Sequence, residues 1–258
     1  MPQIRDRPPN DIVLGLDLGQ AADFTALSVT EVQTDFARRT ERYAVRSLDR
    51  WLPHRYQDVV ERVAALIPRL AVGVLVDPLN GAGVRVMRPN VSLVLDRTGV
   101  GRAVGDLFSA ANLPVALQLI SITGGADVAR DPDGSGWRVP KRDLVGVVAV
   151  ALQNGTLEFA EGMEHAATLR AELRNFRARI SAAGHTSYGA GGGGDDWRQG
   201  SHDDLVLSVA LSLWWGERKT SRGGEATAES YANVGGQDRA DAIDALWEAE
   251  WPTPYSRR

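Results

Sequence analysis

The hydrophobic residues of the chain form strand-length runs and helical stripes in alternation. The first apolar run, Asp11 to Leu18, has the length of a buried strand and ends at a glycine. Thr25 to Val32 alternates between apolar and polar residues, which predicts a strand paired with the first one in a β-hairpin. Arg55 to Leu70 then carries apolar residues at helical spacing. This succession predicts a sheet that begins with a hairpin and is covered by a helix.

Two further buried strands are predicted beyond this helix, and each leads into an aspartate. Val72 to Val76 precedes Asp77, and Val91 to Leu95 precedes Asp96, with a glycine-containing turn after each. The remaining predicted elements are a helix from Gly101 to about Ala111, a strand from Val115 to Ser121, a hairpin or flap around Asp131 to Gly136, a helix from Lys141 to Leu152, a strand from Thr156 to Ala160, and helices from Glu164 to Ile180 and from His202 to Trp215. Alternating helices and strands predict an α/β fold.

The composition changes after Gly216, where small and polar residues replace the apolar pattern. We therefore predict an N-terminal extension over residues 1–10, a core domain over 11–216, and a polar, partly disordered tail over 217–258. A short amphipathic helix from Asp238 to Trp251 is predicted within the tail, and its apolar side chains favour docking on a surface. The length of 258 residues with 43% hydrophobic content suits one enzyme-sized domain with an appendage.

Composition narrows the chemistry that the chain supports. It contains no cysteine, which excludes disulfides and thiolate metal sites and leaves carboxylate and histidine as the strong metal ligands. The N-terminal residues carry charges and prolines, and no apolar run reaches membrane-spanning length, so we expect a soluble, cytoplasmic protein. The net charge of −4 argues against a uniformly basic surface but leaves a local basic groove open.

Carboxylates stand at one end of three predicted elements. Asp17 closes the first strand, Asp96 follows another buried strand, and Asp203 and Asp204 begin the last core helix. Mg²⁺ and Mn²⁺ prefer hard oxygen ligands, and two such ions about 4 Å apart promote phosphodiester hydrolysis. Each acid also has a structural explanation, because turn aspartates bond local backbone groups and aspartate is a common helix N-cap.

These segments resemble, in order, the motifs of the nuclease domain of the large terminase subunit of tailed bacteriophages. GLDLGQAADFTALSV is similar to the family's first catalytic strand and hairpin, and LVLDRTGVGRAVGDLF is similar to its second acidic strand. VPKRDLVGVVAVALQNGTLEF, LRAELRNF and GSHDDLVLSVALSL are similar to its later landmarks. The resemblance spans roughly Asp11 to Trp215.

The resemblance implies an RNase H-like fold, in which helices flank a central mixed β-sheet. It implies a two-metal-ion endonuclease that cuts double-stranded DNA during genome packaging, with Mg²⁺ or Mn²⁺ as the cofactor. In this sequence it gives the catalytic and metal-binding roles to Asp17, Asp96, Asp203 and Asp204, and it offers Asp23 as a ligand for the second metal.

The chain departs from the family pattern in two places. Val72 to Asn90 lies between the first two motifs and brings its own acid, Asp77; we prefer Asp96 because Thr98 and two glycines follow it. The chain also lacks the phosphate loop G-x-x-x-x-G-K-[ST] of an ATPase motor. We therefore expect a cutting module whose partners include a separate motor, the portal or the small terminase subunit.

Basic and neighbouring polar residues supply further candidates. Lys141, Arg142, Arg97 and Arg102 would contact DNA phosphates, although a solvated surface is the ordinary place for such side chains. His202 adjoins the acid pair and is a candidate auxiliary metal ligand or water-orienting group, although a lone histidine at a helix start is as often a polar surface residue. Glu172 is expected to form only an ion pair within its arginine-rich helix.

Three alternatives stay open at the level of sequence. A junction resolvase or another RNase H-like nuclease would use the same acids on a different substrate. A catalytically silent docking module would bind DNA or protein even without Asp17. An actin-like ATP-binding protein also begins with a D-x-G strand turn, but it requires a second, similar domain.

Overall fold

A computed structural model describes residues 4–5, 9–19, 23–35, 40–53, 55–76, 84–99, 102–180, 186–190 and 203–221. In chain order its strands are β1 (Ile4–Arg5), β2 (Asp11–Asp17), β3 (Thr25–Asp35), β4 (Thr40–Trp51), β5 (Val74–Val76), β6 (Arg85–Met87), β7 (Val91–Asp96), β8 (Ala116–Thr123), β9 (Ala129–Arg130), β10 (Trp137–Pro140), β11 (Leu157–Phe159), β12 (Phe176–Ile180) and β13 (Thr186–Ala190). Its helices are α1 (Tyr56–Leu70), α2 (Arg102–Ala110), α3 (Lys141–Gln153), α4 (Ala166–Asn175) and α5 (Asp204–Ser221).

A mixed eight-stranded sheet forms the centre of the protein, with the strand order β11-β4-β3-β2-β7-β8-β10-β9. Strand β3 runs antiparallel to both β2 and β4, whereas β2, β7, β8 and β10 run parallel to one another, and β11 runs parallel to β4. Residues on the central strand β2 are buried on both faces, as expected of a strand covered by helices on either side. The predicted α/β architecture with a central mixed sheet is confirmed.

Alternate residues of the strands face two separate hydrophobic clusters. Leu14 and Leu16 pack with the buried face of α1 and with α2, and Val13 packs with α3, α4 and α5 on the opposite face. Burial of α1 follows the predicted helical spacing, with Val59, Val63 and Ile67 inside. The period of two along β2 therefore separates the two helical layers.

Helix α5 is buried along most of its length and lies directly on the sheet. Hydroxyl groups join the helix to β3, because the Ser28 hydroxyl donates to the Ser208 carbonyl at 2.8 Å and Thr30 Oγ1 lies 2.7 Å from Ser212 Oγ. A Cβ on Gly15 would lie only 1.9 Å from the Ser208 carbonyl oxygen. The glycine and the short hydroxyl side chains permit this close approach of helix and sheet.

Two predicted elements near the acidic segments differ from the structure. The helix predicted from Glu164 to Ile180 ends at Asn175, and Phe176 to Ile180 forms a strand paired with β13. The apolar residues of FRARI alternate with arginines, and this period-two pattern favours a strand. The last core helix runs on past the predicted boundary at Gly216 to Ser221, and the predicted tail helix lies outside the described residues.

The sequence analysis also missed the strand β4. This strand pairs with β3 along its whole length, with a register irregularity at Val29 and Thr30. Its buried residues Tyr43, Val45 and Leu48 do not keep a strict alternation, because the irregularity shifts the pattern by one residue. Because of this bulge, the sequence pattern did not reveal β4, the strand that carries Arg50.

The segment between the first two motifs forms a small sheet of its own. In it β5 pairs with β1 on one side and β6 on the other, in the order β1-β5-β6. The strand beside β2 in the central sheet is therefore β7 and not β5. Within the described residues, no helix combines the length and apolar character needed to cross a membrane.

Candidate active site

Two of the predicted acids lie at the ends of adjacent parallel strands. Leu16 on β2 is paired with Leu95 on β7, so the next residues, Asp17 and Asp96, lie side by side at the edge of the sheet. Both aspartates are buried. Ligand sites of parallel sheets form at the carboxyl ends of the strands, and these two carboxyl groups stand there.

Local backbone geometry orients the Asp96 side chain. Its Oδ1 accepts a hydrogen bond from the backbone N–H of Thr98 at 2.7 Å, as in an Asx turn. The Thr98 hydroxyl in turn accepts from the N–H of Ile122 on β8 at 2.6 Å, and Gly99 has a φ of 77°. The sequence Asp-Arg-Thr-Gly thus builds a tight turn that fixes one carboxylate oxygen of Asp96.

The acid pair belongs to the start of the helix that packs on the central sheet. Asp203 and Asp204 stand at the start of α5, and their side chains meet cations. Lys141 Nζ donates to Asp203 Oδ2 at 2.6 Å, and the Arg50 guanidinium donates to Asp204 Oδ2 at 3.0 and 3.3 Å. These ion pairs hold both aspartates beside the sheet edge.

The acids at this edge of the sheet influence the pKa of Asp17. The pKa of Asp17 is raised well above its usual value, first because of burial and then because of the charges of Asp96, Asp204 and Asp203, with Lys141 opposing. Burial raises the pKa of Asp96 to about 6, although its bonds to Thr98 and the charge of Lys141 act in the opposite direction. Carboxylates that disfavour one another's ionisation in this way favour a bound cation.

The donor set fits a hard divalent cation. Carboxylate oxygens are the ligands that Mg²⁺ and Mn²⁺ prefer, and the charges of three other carboxylates act on Asp17 here. Within the described ranges, no three acidic or histidine side chains are arranged as a finished metal-binding group. Asp203 is paired with Lys141, and Asp204 is paired with Arg50. To bind a cation, the two aspartate side chains would have to turn away from these basic partners.

The other acidic and histidine candidates are less closely tied to the centre. Asp23 lies on the exposed turn that precedes β3, and a Cβ on Gly19 would lie 2.2 Å from its carbonyl oxygen. This close approach places the Asp23 backbone near the end of β2. His202 and Asp77 lie outside the described residues.

Three of the basic residues proposed for DNA contact have partners within the protein. Arg97 forms a largely buried ion pair with Asp131 and donates to Ser121 and Ser135 at 3.2 and 3.3 Å. Lys141 bonds to Asp203 as described, and Arg142 is more exposed and donates to the carbonyl of Ala126. The fourth, Arg102, begins α2, and its side chain lies outside the described residues.

The turn that Arg97 holds belongs to the hairpin predicted around residues 131–136. There β9 and β10 run antiparallel, which confirms this hairpin. Because Arg97 follows Asp96 directly and reaches across to Asp131, its contacts join the acidic strand end to the hairpin.

Sequence reasoning missed the two residues that contact the start of α5. Arg50 lies near the end of β4, with its guanidinium 4.0 Å from the centre of the Phe24 ring, and Glu172 lies in α4. Glu172 Oε2 accepts hydrogen bonds from the backbone N–H groups of Leu205 and Val206, so the expected pair within its own helix is not its role. No local pattern marks either residue, since their partners are distant in the chain.

Glu172 makes a pH-dependent contribution to stability. Burial, followed by the charge of Asp204, raises its pKa from 4.5 to about 7 in the folded protein. A raised carboxyl pKa means that the folded state binds the proton more tightly than the unfolded state does. The stabilisation that the protonated Glu172 gives to the folded state is therefore lost as pH rises from 4.5 to about 7. In EDTA, we expect the melting temperature of Glu172→Gln minus that of wild type to grow between about pH 4.5 and about pH 7 and then to level off. A difference that shrinks over this range would contradict the assignment.

The mixed sheet, its flanking helices and the acids at adjacent strand ends define a protein of the RNase H-like fold class. More particularly, the fold is that of the nuclease domains of large terminase subunits. The large terminase nuclease from thermophilic phage G20c is similar over 81% of this chain and 85% of its own, with 23% identity and a TM-score of 0.52. Its structure with bound magnesium has the same identity and TM-score and is covered over 84% of its length.

A second similar structure comes from a different virus. The nuclease domain of the large terminase subunit of bacterial virus Sf6 is similar over 80% of this chain and 89% of its own, with 12% identity and a TM-score of 0.51. No protein-family model matches the chain, and no curated protein matches it either. Because the sequence identities are low, the similarity to these two structures lies in the fold.

Proposed function

We propose that the protein is a metal-dependent endonuclease that hydrolyses the phosphodiester bonds of DNA. It acts as the cutting module of a phage genome-packaging terminase. The observation that carries the proposal is the meeting of Asp17, Asp96 and the Asp203–Asp204 pair at one edge of a terminase-nuclease fold. The bound magnesium and cobalt in the G20c terminase nuclease support the choice of a divalent ion.

The acids fall into two groups by their place in the fold, at the ends of strands and at the start of a helix. Asp17 and Asp96 stand on strands and would hold one Mg²⁺ or Mn²⁺ ion, while Asp203 and Asp204 at the helix start would complete the ligands for two ions. Asp23, beside the end of β2, is proposed as a further ligand of the second ion. Such ions supply Lewis-acid chemistry by lowering the pKa of bound water and neutralising the leaving oxygen.

The basic residues have two proposed tasks. Lys141 and Arg50 neutralise the acid pair and thereby limit the repulsion among the carboxylates in the metal-free protein. Arg142, with a side chain that is 42% exposed, together with Arg102, would contact phosphates of double-stranded DNA. Contacts of this kind carry no sequence information directly, so we expect weak sequence preference.

Supercoiled plasmid provides the direct test. With Mg²⁺ or Mn²⁺ the purified protein should nick and linearise the plasmid, and EDTA should stop the reaction. The same protein should show no binding of ATP. If the DNA stays intact in both metals while ATP binds, the nuclease proposal is wrong and the actin-like alternative is correct.

The second acid of the site is tested by a pair of variants. Asp96→Ala should abolish cleavage, because the strand that ends at Asp96 lies next to β2 in the central sheet. Asp77→Ala should retain it, because β5, which precedes Asp77, pairs within the small sheet. The reverse result would show that Asp77 is the ligand.

A further inference from the structure

Glu172 is a buried residue of α4 whose side chain reaches a different helix. Its Oε2 accepts hydrogen bonds from the backbone N–H groups of Leu205 at 2.9 Å and Val206 at 3.1 Å. These groups belong to the first turn of α5, where the backbone N–H groups have no carbonyl of an earlier turn to bond. Glu172 therefore caps α5 from a position 33 residues earlier in the chain.

This cap changes what the two aspartates of the first turn can do. An aspartate at a helix start ordinarily accepts hydrogen bonds from the N–H groups that follow it. Here Glu172 accepts those of Leu205 and Val206, while Asp203 and Asp204 bond to the side chains of Lys141 and Arg50. The carboxylates of the pair are consequently not used as caps for Leu205 and Val206, and both bond to cationic side chains.

The position of Glu172 is electrostatically costly. It is only 5% exposed, and the charge of Asp204 acts against its ionisation. Its Oε1 is buried and has no hydrogen-bond partner among the described residues. A buried carboxyl group beside the charge of Asp204, with one oxygen that has no partner in the described part of the chain, is unfavourable for stability alone, so its contact with α5 points to a role at the site.

We propose that Glu172 is a positioning residue, whose carboxyl group holds the first turn of α5 so that Asp203 and Asp204 face Asp17 and Asp96. The inference rests on the proposed nuclease function for its catalytic consequence, but its structural part concerns the metal-free protein. Glu172 acts through the α5 backbone and not as a ligand. An uncharged side chain with an acceptor oxygen in the same place should therefore serve equally well.

Three variants of the full chain separate positioning from ligation and from general stability. Glu172→Ala removes the acceptor, whereas Glu172→Gln removes the charge and keeps an acceptor oxygen. Glu164→Gln removes a charge from an 85% exposed side chain just before the same helix and serves as the matched control. Amide hydrogen exchange in EDTA reports the first turn of α5 directly, and calorimetric titration with Mn²⁺ reports the site.

Positioning predicts that Glu172→Ala speeds exchange at Leu205 and Val206 while the later turns of α5 stay protected. It also predicts Mn²⁺ affinity weakened by about 10–100-fold, the range found for residues that orient ligands. Glu172→Gln should restore both properties, and its kcat and KM on plasmid should match wild type. In Glu172→Ala, kcat should fall while KM for DNA stays unchanged.

Two results would overturn the inference. If Glu172→Gln lost Mn²⁺ affinity as strongly as Glu172→Ala, the charge itself would be required, as for a metal ligand. If Glu172→Ala left the exchange of Leu205 and Val206 at wild-type rates, the cap would have no structural effect. Because exchange is measured without metal or DNA, it decides the cap even if the wild-type protein neither binds Mn²⁺ nor cuts DNA.

Discussion

Asp17→Asn should abolish plasmid cleavage and, in the same protein, raise the melting temperature measured in EDTA. The loss of cleavage follows from removing a central anionic ligand of the proposed metal site. The gain in stability follows from the raised pKa of Asp17, which means that burial and the neighbouring carboxylates disfavour its ionised form at neutral pH. Asparagine has nearly the same shape without the charge. Each kcal/mol gained should raise the melting temperature by about 2–4 °C.

Asp106→Asn is the matched control for this experiment. Asp106 lies on the exposed side of α2, away from the acidic cluster, so its replacement should change neither cleavage nor the melting temperature appreciably. Metal-dependent cleavage that survives in Asp17→Asn would exclude Asp17 as an essential ligand. A lower melting temperature would show that the carboxylate is favourable to the fold, contrary to its electrostatic environment.

Gly15→Ala should prevent the protein from folding into a soluble form. The added methyl carbon would lie 1.9 Å from the Ser208 carbonyl oxygen and 2.9 Å from the Ser28 hydroxyl. Overpacking ordinarily costs about 1–3 kcal/mol, but here a central strand and the backbone of a buried helix would have to separate. This cost in free energy should cancel most of the free energy of unfolding, which is about 5–15 kcal/mol for native proteins. Soluble yield and the midpoint of urea unfolding measure the effect.

Gly146, which lies in the helix α3, provides the comparison for Gly15. A Cβ on Gly146 in α3 would meet no atom within 4 Å, so Gly146→Ala should stabilise the protein. Alanine is favoured over glycine in a helix by about 0.5–1 kcal/mol. If Gly15→Ala unfolded at the same urea concentration as wild type, α5 would not approach the sheet as closely as the structure has it.

The acids at the ends of local elements were predictable from the sequence. Asp17 and Asp96 each end a run of apolar residues that forms a buried strand, and Asp203 and Asp204 begin a helix whose apolar character is continuous. These features depend on neighbours within a few residues, which a pattern of period two or 3.6 records. The α/β class followed in the same way, whereas the central mixed sheet was implied by the family resemblance.

Tertiary structure alone decided how these acids are held together. Arg50 meets Asp204 across 154 positions of sequence, and Lys141 meets Asp203 across 62. The order of strands, which places β7 and not β5 beside β2, likewise depends on pairing between distant segments. Such contacts arise only when the chain has packed, so no short-range pattern encodes them.

Sequence by itself thus determined which residues carry negative charge at the ends of strands and at the start of a helix. Folding decided that Glu172, and not an aspartate of the first turn, caps that helix, because only packing of α4 on α5 brings its carboxyl group to the N–H groups of Leu205 and Val206. Folding also decided that the charges of Asp96, Asp203 and Asp204 act on the buried Asp17. Their mutual repulsion there is a property of distances in space, which hydrophobic periodicity does not record.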